Sequence, residues 1–579
     1  MDEVSTEPHH RPAMLGRAPL LWAAAAIVAG YTLAHIWPYT PPLLLAKCAL
    51  PFAACALVFA FFAPKENFHQ QLLSGIWGAS FLFGASLLAW AWNEVRAPLP
   101  PQAWFGLPPR EARLCLHVTQ AFTATPNSDS VSGLARIADG PPILSELIRR
   151  DIYYRVRLAP GENAPVRGAT VELDGLLAVI PQTDPGAIST GGDNSTAAFL
   201  TFLSNQDVWF ELTRARVTKE IAPPSSLERW ANTQSARLEA ALRYGPSNLE
   251  STAGNIYVAM LLGKTGILDA NQRDAFKHLG AMYLFAISGL HVGIVGGALW
   301  WCLKRVPRLP PVAAEIMVIA LAWAYVEVTG STLSARRAAI MFSFYIAAGW
   351  LRRPRSSLPA IVAAGVTTLL IYPASFSNAG FQLSYAVVMG LILYAPPLLA
   401  EAQKHLALWR DLPLDGIAPW RKCTLWIWDK VLAAMVISWT AFLCSAPLTA
   451  EYFGVFTPGM LMLNLVLAPA CGMAICAGVA AMTFGLPGFA PFTWAQWCTN
   501  AIGLLPVVLL QWLARTAAGI PILHADLRLQ PAWAGSAASF IIVSTMLATH
   551  TRARIPPAWY YLLPVLVLAG FAAFTAHPI

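Results

Sequence analysis

Charge is what this sequence has least of. Asp, Glu, Lys and Arg together make up 12% of the 579 residues, where a soluble globular domain carries about 25%. A chain of this length folding in water would divide into several domains, and each would need a charged surface that is missing. Histidine is scattered: the eleven His stand at 9, 10, 35, 69, 117, 278, 291, 405, 524, 550 and 577, with no HExxH pair. Nine Cys show no CxxC or Cys/His spacing for zinc, and only Cys115 lies in the large polar segment, so no disulfide forms there. Neither a GxxxxGK[ST] phosphate loop nor a GxSxG elbow is present, which leaves ATP hydrolysis and serine-hydrolase chemistry without their machinery. The expectation is a non-enzyme with no metal and no cofactor.

What is abundant is apolar sequence, 56% of residues, with a mean hydropathy of +0.52. About 20 apolar residues cross a bilayer as a helix. Runs of that kind occur at 19–37, 43–62, 72–92, 281–302, 312–329, 335–351, 358–372, 381–399, 431–449, 459–484, 493–513, 531–548 and 558–576. The expected fold class is an α-helical polytopic membrane protein with eleven to thirteen transmembrane helices. Between 93 and 250 the pattern changes to period-two stretches, as in 115–119, 153–158, 170–175 and 208–212, which read as a small all-β barrel or sandwich. Ser225 to Leu242 reads as a helical connector, and 251–277 as short surface helices with Ile256, Met260 and Leu261 at helical spacing. The expected domains are a three-span anchor (1–92), the β domain with its connector (93–250), a membrane channel domain (251–530) and a C-terminal hairpin (531–579).

The net charge of +8 reads first as the excess of Lys and Arg that fixes orientation. Arg11 and Arg17 precede the first run, Lys65 follows the second, and 38–42 is uncharged. That places the N-terminus in the cytoplasm and the β domain outside. Arg336 and Arg337 break the trend by opening a span on the outer side. They call for a ligand or for a partner such as Glu327, nine residues before Arg336. Ser288 and His291 lie in a Gly-rich stretch near the outer end of another span, where a histidine is either packed and hydrogen-bonded or part of a pathway. Gln382, Ser384, Asn378 and Asn464 are neutral polar groups at membrane depth, suited to interhelical hydrogen bonds or to lining a pore. In the β domain, Tyr154, Arg155 and Arg157 share one strand and Trp209, Arg214 and Arg216 another; alternation sends half of the aromatics to the core, and the rest are candidate nucleic-acid contacts.

The segment Ala286-Ile287-Ser288-Gly289-Leu290-His291-Val292-Gly293 resembles the signature of the ComEC family of competence proteins. Tyr283 stands where that family usually has a second His. Three further segments follow in the family's order: Gly330-Ser331-Thr332-Leu333-Ser334-Ala335-Arg336-Arg337-Ala338, then Pro373 with Gly380-Phe381-Gln382-Leu383-Ser384-Tyr385, then Pro447-Leu448, Tyr452-Phe453-Gly454 and Asn464-Leu465. Tyr372 replaces the Asn that precedes the family's Pro. The resemblance implies an inner-membrane channel for single-stranded DNA, an outer domain of OB-fold type at 113–215, and four partners. These are single-stranded DNA, membrane lipid, an extracytoplasmic DNA-delivering protein, and a cytoplasmic helicase or ssDNA-binding protein. Many family members continue into a metallo-β-lactamase-like domain; no H-x-H-x-D-H motif occurs here, so a short form is expected. Two other readings fit the residues alone: a secondary transporter of a small anionic solute, and a membrane enzyme using His291 as acid or base.

Overall fold

The computed structural model describes residues 19–62, 69–96, 104, 108–122, 130–158, 162, 164–180, 203, 208–247, 252–278, 280–305, 309–406, 419–485, 492–517, 525–529, 533–551 and 557–578. Arg11, Arg17 and Lys65, on which the expected orientation rests, lie outside these residues.

Where no water is available, a backbone satisfies its own polar groups by forming a helix, and every long apolar run does so. The N-terminal group is α1 (Pro19–Ile36), α2 (Pro42–Phe62) and α3 (His69–Arg96). Among the described residues, five helices are long and apolar enough to cross a membrane: Ala281–Leu303, Pro311–Val328, Trp420–Phe453, Met460–Phe484 and Thr493–Thr516. A sixth exists if Ala379–Leu393 and Ala395–Leu406, bent by 46° at their junction, count as one span. Six shorter apolar helices, Leu20–Ile36 and Ser357–Ile371 among them, accompany these. The protein is a mostly helical membrane protein, and eleven to thirteen spans are reached only if the shorter helices cross as well. The nine cysteines are free.

The β segment is a barrel. β1 (Arg110–Phe122), β2 (Ser130–Asp139), β3 (Asp151–Arg157), β4 (Thr170–Val179) and β5 (Phe210–Ala222) close in the order β1-β2-β3-β5-β4. All neighbours are antiparallel except β3 and β5. Alternation sends Leu114, Leu116, Ile137, Ile152, Tyr154, Val156, Leu173 and Leu212 inward as one core. Tyr154 faces Gly133 across the β2–β3 ladder, and a Cβ there would stand 2.7 Å from the Tyr154 hydroxyl, so the strand needs glycine.

The connector α4 (Ser226–Leu242) begins at a capping box in which Ser225 and Glu228 exchange hydrogen bonds. It delivers the chain to α5 (Thr252–Leu262), which corrects the expected surface helices: Ile256 through Met260 are fully buried. The run is apolar on every side, so it has no face to show to water or headgroups. α6 (Ala270–His278) follows, then α7 (Gly289–Leu303), α8 (Pro311–Val328), α9 (Leu333–Trp350), α10 (Ser357–Ile371), α11 (Ala379–Leu393), α12 (Ala395–Leu406), α13 (Pro419–Phe453), α14 (Met460–Phe484), α15 (Thr493–Ala517), α16 (Ala534–Thr551) and α17 (Pro557–Thr575). Three short strands, β6 (Val455–Phe456), β7 (Ala525–Leu529) and β8 (Ala576–Pro578), form a small sheet.

α5 packs against α14 and α15. Gly478 and Gly503 permit this, because a Cβ at either would lie 2.3 Å from Leu261 or from the Tyr257 hydroxyl. A helix ending inside a protein leaves carbonyls without donors. Here the Met260 carbonyl lies 3.0 Å from His291 Nε2, and the Leu261 carbonyl accepts from the Tyr325 hydroxyl at 3.0 Å. On the barrel side, Glu239 of α4 accepts from Lys264 Nζ at 2.8 Å and from Arg243 Nε at 3.0 Å. Burial pushes this carboxyl up, but the two cations outweigh burial and hold it below the usual carboxylate range.

Two outcomes follow from these caps. His291→Leu leaves the Met260 carbonyl and the Ser288 N–H unpartnered, at about 1–3 kcal/mol each. Its membrane abundance and thermal midpoint in detergent should fall, with His291→Gln recovering most of the loss; an unchanged midpoint for the Leu variant would remove the capping account. A depressed carboxyl stabilises above its unfolded pKa, and that contribution disappears as pH drops through the folded value. Glu239→Gln should therefore cost about 1 kcal/mol at pH 7, discounted for its partial exposure. Thermal melts of the two proteins should converge once the pH has fallen through the lowered folded-state pKa of Glu239.

Candidate functional site

The four signature segments lie at helix ends, and the ends carrying the arginines face the barrel. In the first, Gly280, at φ 72°, starts a 3-10 turn over Ala281–Phe285, and the chain breaks before α7 begins at Gly289. Ser288 is the N-cap of α7. Its N–H donates to His291 Nδ1 at 3.2 Å, so the proton of a neutral ring sits on Nε2, facing Met260. His291 is 1% exposed. Tyr283, in place of the family's second His, donates to Asn464 Oδ1 at 2.6 Å and ties the first signature segment to the fourth.

The second segment joins α8 to α9. Ser331 takes φ 54° directly after Gly330 at φ 91°, an unusual geometry for a residue with a Cβ. Two hydrogen bonds hold it: its hydroxyl donates to Glu327 Oε1 at 2.9 Å and accepts from Arg336 Nε at 2.6 Å. Glu327 does not pair directly with Arg336. Its other oxygen is 2.7 Å from Nη2 of Arg167, on the barrel loop before β4, whose Nη1 donates to the Glu327 carbonyl at 2.8 Å. One carboxylate thus fastens the barrel to the membrane part, and Arg336 reaches it only through a serine.

Arg337 points the other way. It is 3% exposed, its Nη2 donates to the Gly380 carbonyl at 2.8 Å, and its Nε has no partner. Phe381 lies at 5.9 Å, the far limit of a cation–π contact. Among the described residues no carboxylate forms an ion pair with it. A buried charge without a counter-ion is costly.

Gly380 belongs to the third segment. Asn378 caps α11 by accepting from the N–H groups of Gly380 (2.9 Å) and Phe381 (3.3 Å). Gln382 Nε2 donates to the Phe376 carbonyl at 3.0 Å. The Gln382 Oε1 lies 3.0 Å from the Ser536 hydroxyl, which is 2.7 Å from Glu451 Oε1. Glu451 sits at the end of α13 and receives the Ser536 N–H at the start of α16. Tyr452 donates to the Ser377 carbonyl at 3.3 Å. Ser384 is partly buried further along α11. Two charged residues of these pairings, Glu451 and Arg167, escaped the sequence reading. Glu451 was discoverable as the charge directly before Tyr452-Phe453-Gly454; Arg167 sits in a loop with no local pattern.

The barrel sorts its candidates by side. Tyr154 is fully buried and Trp209 packs partly against the core. Arg155 and Arg157 alternate outward on β3. On β5 an extra residue enters the ladder between Leu212 and Ala215, with Arg214 at φ 52°. Such a bulge resets the alternation, so Arg214 and Arg216 both face out while Ala215 stays buried. Because Val156 pairs with Ala215, four exposed arginines flank a single ladder position.

Comparison with known proteins places the chain. A family described as Competence protein matches residues 260–553, more than half of the chain. The ComE operon protein 3 of Bacillus subtilis (strain 168) is 34% identical over 147 residues, which is 25% of this chain and 19% of that protein. The Competence protein ComA of Neisseria gonorrhoeae is 29% identical over 157 residues, 26% of this chain and 23% of that protein. The matched stretches therefore span under a quarter of either relative. No solved structure matches. With the matched residues running from the capped end of α5 to α16 and holding all four signature segments, the chain belongs to the ComEC-type competence proteins.

Proposed function

We propose that the protein is an inner-membrane channel that passes single-stranded DNA into the cell during natural transformation. The barrel acts as an extracytoplasmic domain of OB-fold type, a class that binds single strands along basic grooves; its strand order and its four outward arginines support this. The N-terminus lies in the cytoplasm. A DNA-delivering protein outside and a helicase or ssDNA-binding protein inside supply and withdraw the strand.

The observation that carries the reading is Arg337, a buried guanidinium without a carboxylate in a segment that matches a competence family. A path for a polyanion needs positive charge that the protein has not already neutralised, in several weak contacts instead of one tight site. Arg336, held by a serine, and the outward arginines of β3 and β5 extend that pattern toward the barrel. Ser288, His291, Gln382, Ser384 and Asn464 shape the path by packing the helix ends that flank it.

Transformation frequency in a strain carrying Arg337→Gln tests this. The expected result is a drop of about ten-fold or more, the equivalent of one lost charge contact of about 1.4 kcal/mol, with membrane abundance unchanged. Wild-type frequency would contradict the reading, and a parallel loss of abundance would make Arg337 a packing residue.

A further inference from the structure

The junction between the barrel and the membrane part holds an exposed aromatic residue, Tyr372. Tyr372 ends α10, directly before the 3-10 turn Pro373–Ser377. The backbone beneath it is pinned from the N-terminal helices: Tyr31 donates to the Leu369 carbonyl and Trp92 Nε1 to the Leu370 carbonyl, each at 2.9 Å. The helix end is therefore capped and rigid without any help from Tyr372. Tyr372 as a whole residue remains 42% exposed.

One guanidinium group approaches this ring. Arg336, from the start of α9, has Nη1 at 3.5 Å from the Tyr372 hydroxyl. Among the described residues Arg336 makes no ion pair, because Arg167 occupies the carboxylate of Glu327. An exposed ring on an anchored backbone, beside a cation without an ion-pair partner, combines the two elements that hold an unpaired nucleotide. The ring takes the base by stacking, and the cation takes a flanking phosphate.

The geometry points to a strand-binding site at the barrel–membrane junction, where Tyr372 stacks a base of single-stranded DNA and Arg336 holds a flanking phosphate. This rests on the channel reading above and adds to it the point at which the strand leaves the barrel.

The test uses the full-length protein in detergent and a fluorescein-labelled 20-nucleotide single strand, read by fluorescence anisotropy at several salt concentrations. Tyr372→Ala should weaken binding about five-fold or more, the range of one lost base–aromatic stack. Tyr372→Phe and Tyr372→Trp should bind within about two-fold of wild type, since the ring carries the contact. Arg336→Gln should lower the slope of log affinity against log salt by about 0.7, one phosphate contact on a single strand. An abasic strand should bind wild type more weakly than an intact one, and Tyr372→Ala should narrow that gap. If Tyr372→Ala binds like wild type, or Phe loses as much as Ala, the stacking site is wrong while the channel reading stands. If the wild-type protein binds no single strand, the channel reading itself fails. Should Tyr372→Ala not remain monodisperse, Tyr372→Leu against Tyr372→Trp gives the same comparison at similar bulk.

Discussion

A helix that stops inside the protein must find donors for its last carbonyls, and the membrane part of this molecule is arranged around one such end. α5 is too short to span and too apolar to lie at a surface, so it terminates in the core. Its Met260 and Leu261 carbonyls are met by His291 and Tyr325. For His291 to reach Met260, the chain must break after the 3-10 turn and restart at Ser288, whose N–H fixes the ring tautomer. The Ser288-Gly289-Leu290-His291 motif is thus a helix start that also caps another helix. Tyr325 lies on α8, whose end carries Glu327, so the same arrangement positions the barrel anchor.

From that anchor the polar groups divide into those that balance one another and those that do not. Glu327 is claimed by Arg167 and Ser331, and Glu451 is claimed by the start of α16. Both carboxylates are held by parts of the protein that must stay in place. Arg336 and Arg337 are left with a serine, a tyrosine hydroxyl and a backbone carbonyl. An excess of positive charge beside a barrel with four outward arginines is a poor choice for stability alone, because each uncompensated cation costs desolvation. It is a reasonable choice for a surface that must meet phosphates repeatedly and release them.

The long helices were legible in the sequence because twenty apolar residues admit little else, and the barrel was legible as alternation. β2 went unread because Gly133 and Ala135 dilute its pattern, although Val131, Leu134 and Ile137 are buried. α5 was misread because apolar residues at helical spacing suit a surface helix as well as a buried one; the unbroken run from Ile256 to Leu262 was the better signal. Glu327 was named as a partner for Arg336, but its true partner, Arg167, is 160 residues away, and long-range pairings leave no local trace. The bulge that turns Arg214 outward is likewise invisible without its neighbouring strands.

The account's central claim is passage of a DNA strand, and the most direct measurement removes the protein. In a transformable host with its only copy of this gene deleted, labelled donor DNA should bind the cell but stay accessible to added nuclease. Cytoplasmic label and transformants should then fall to background, and both should return when the intact gene is restored. Cytoplasmic label and transformants at wild-type levels in the deletion strain would contradict the account.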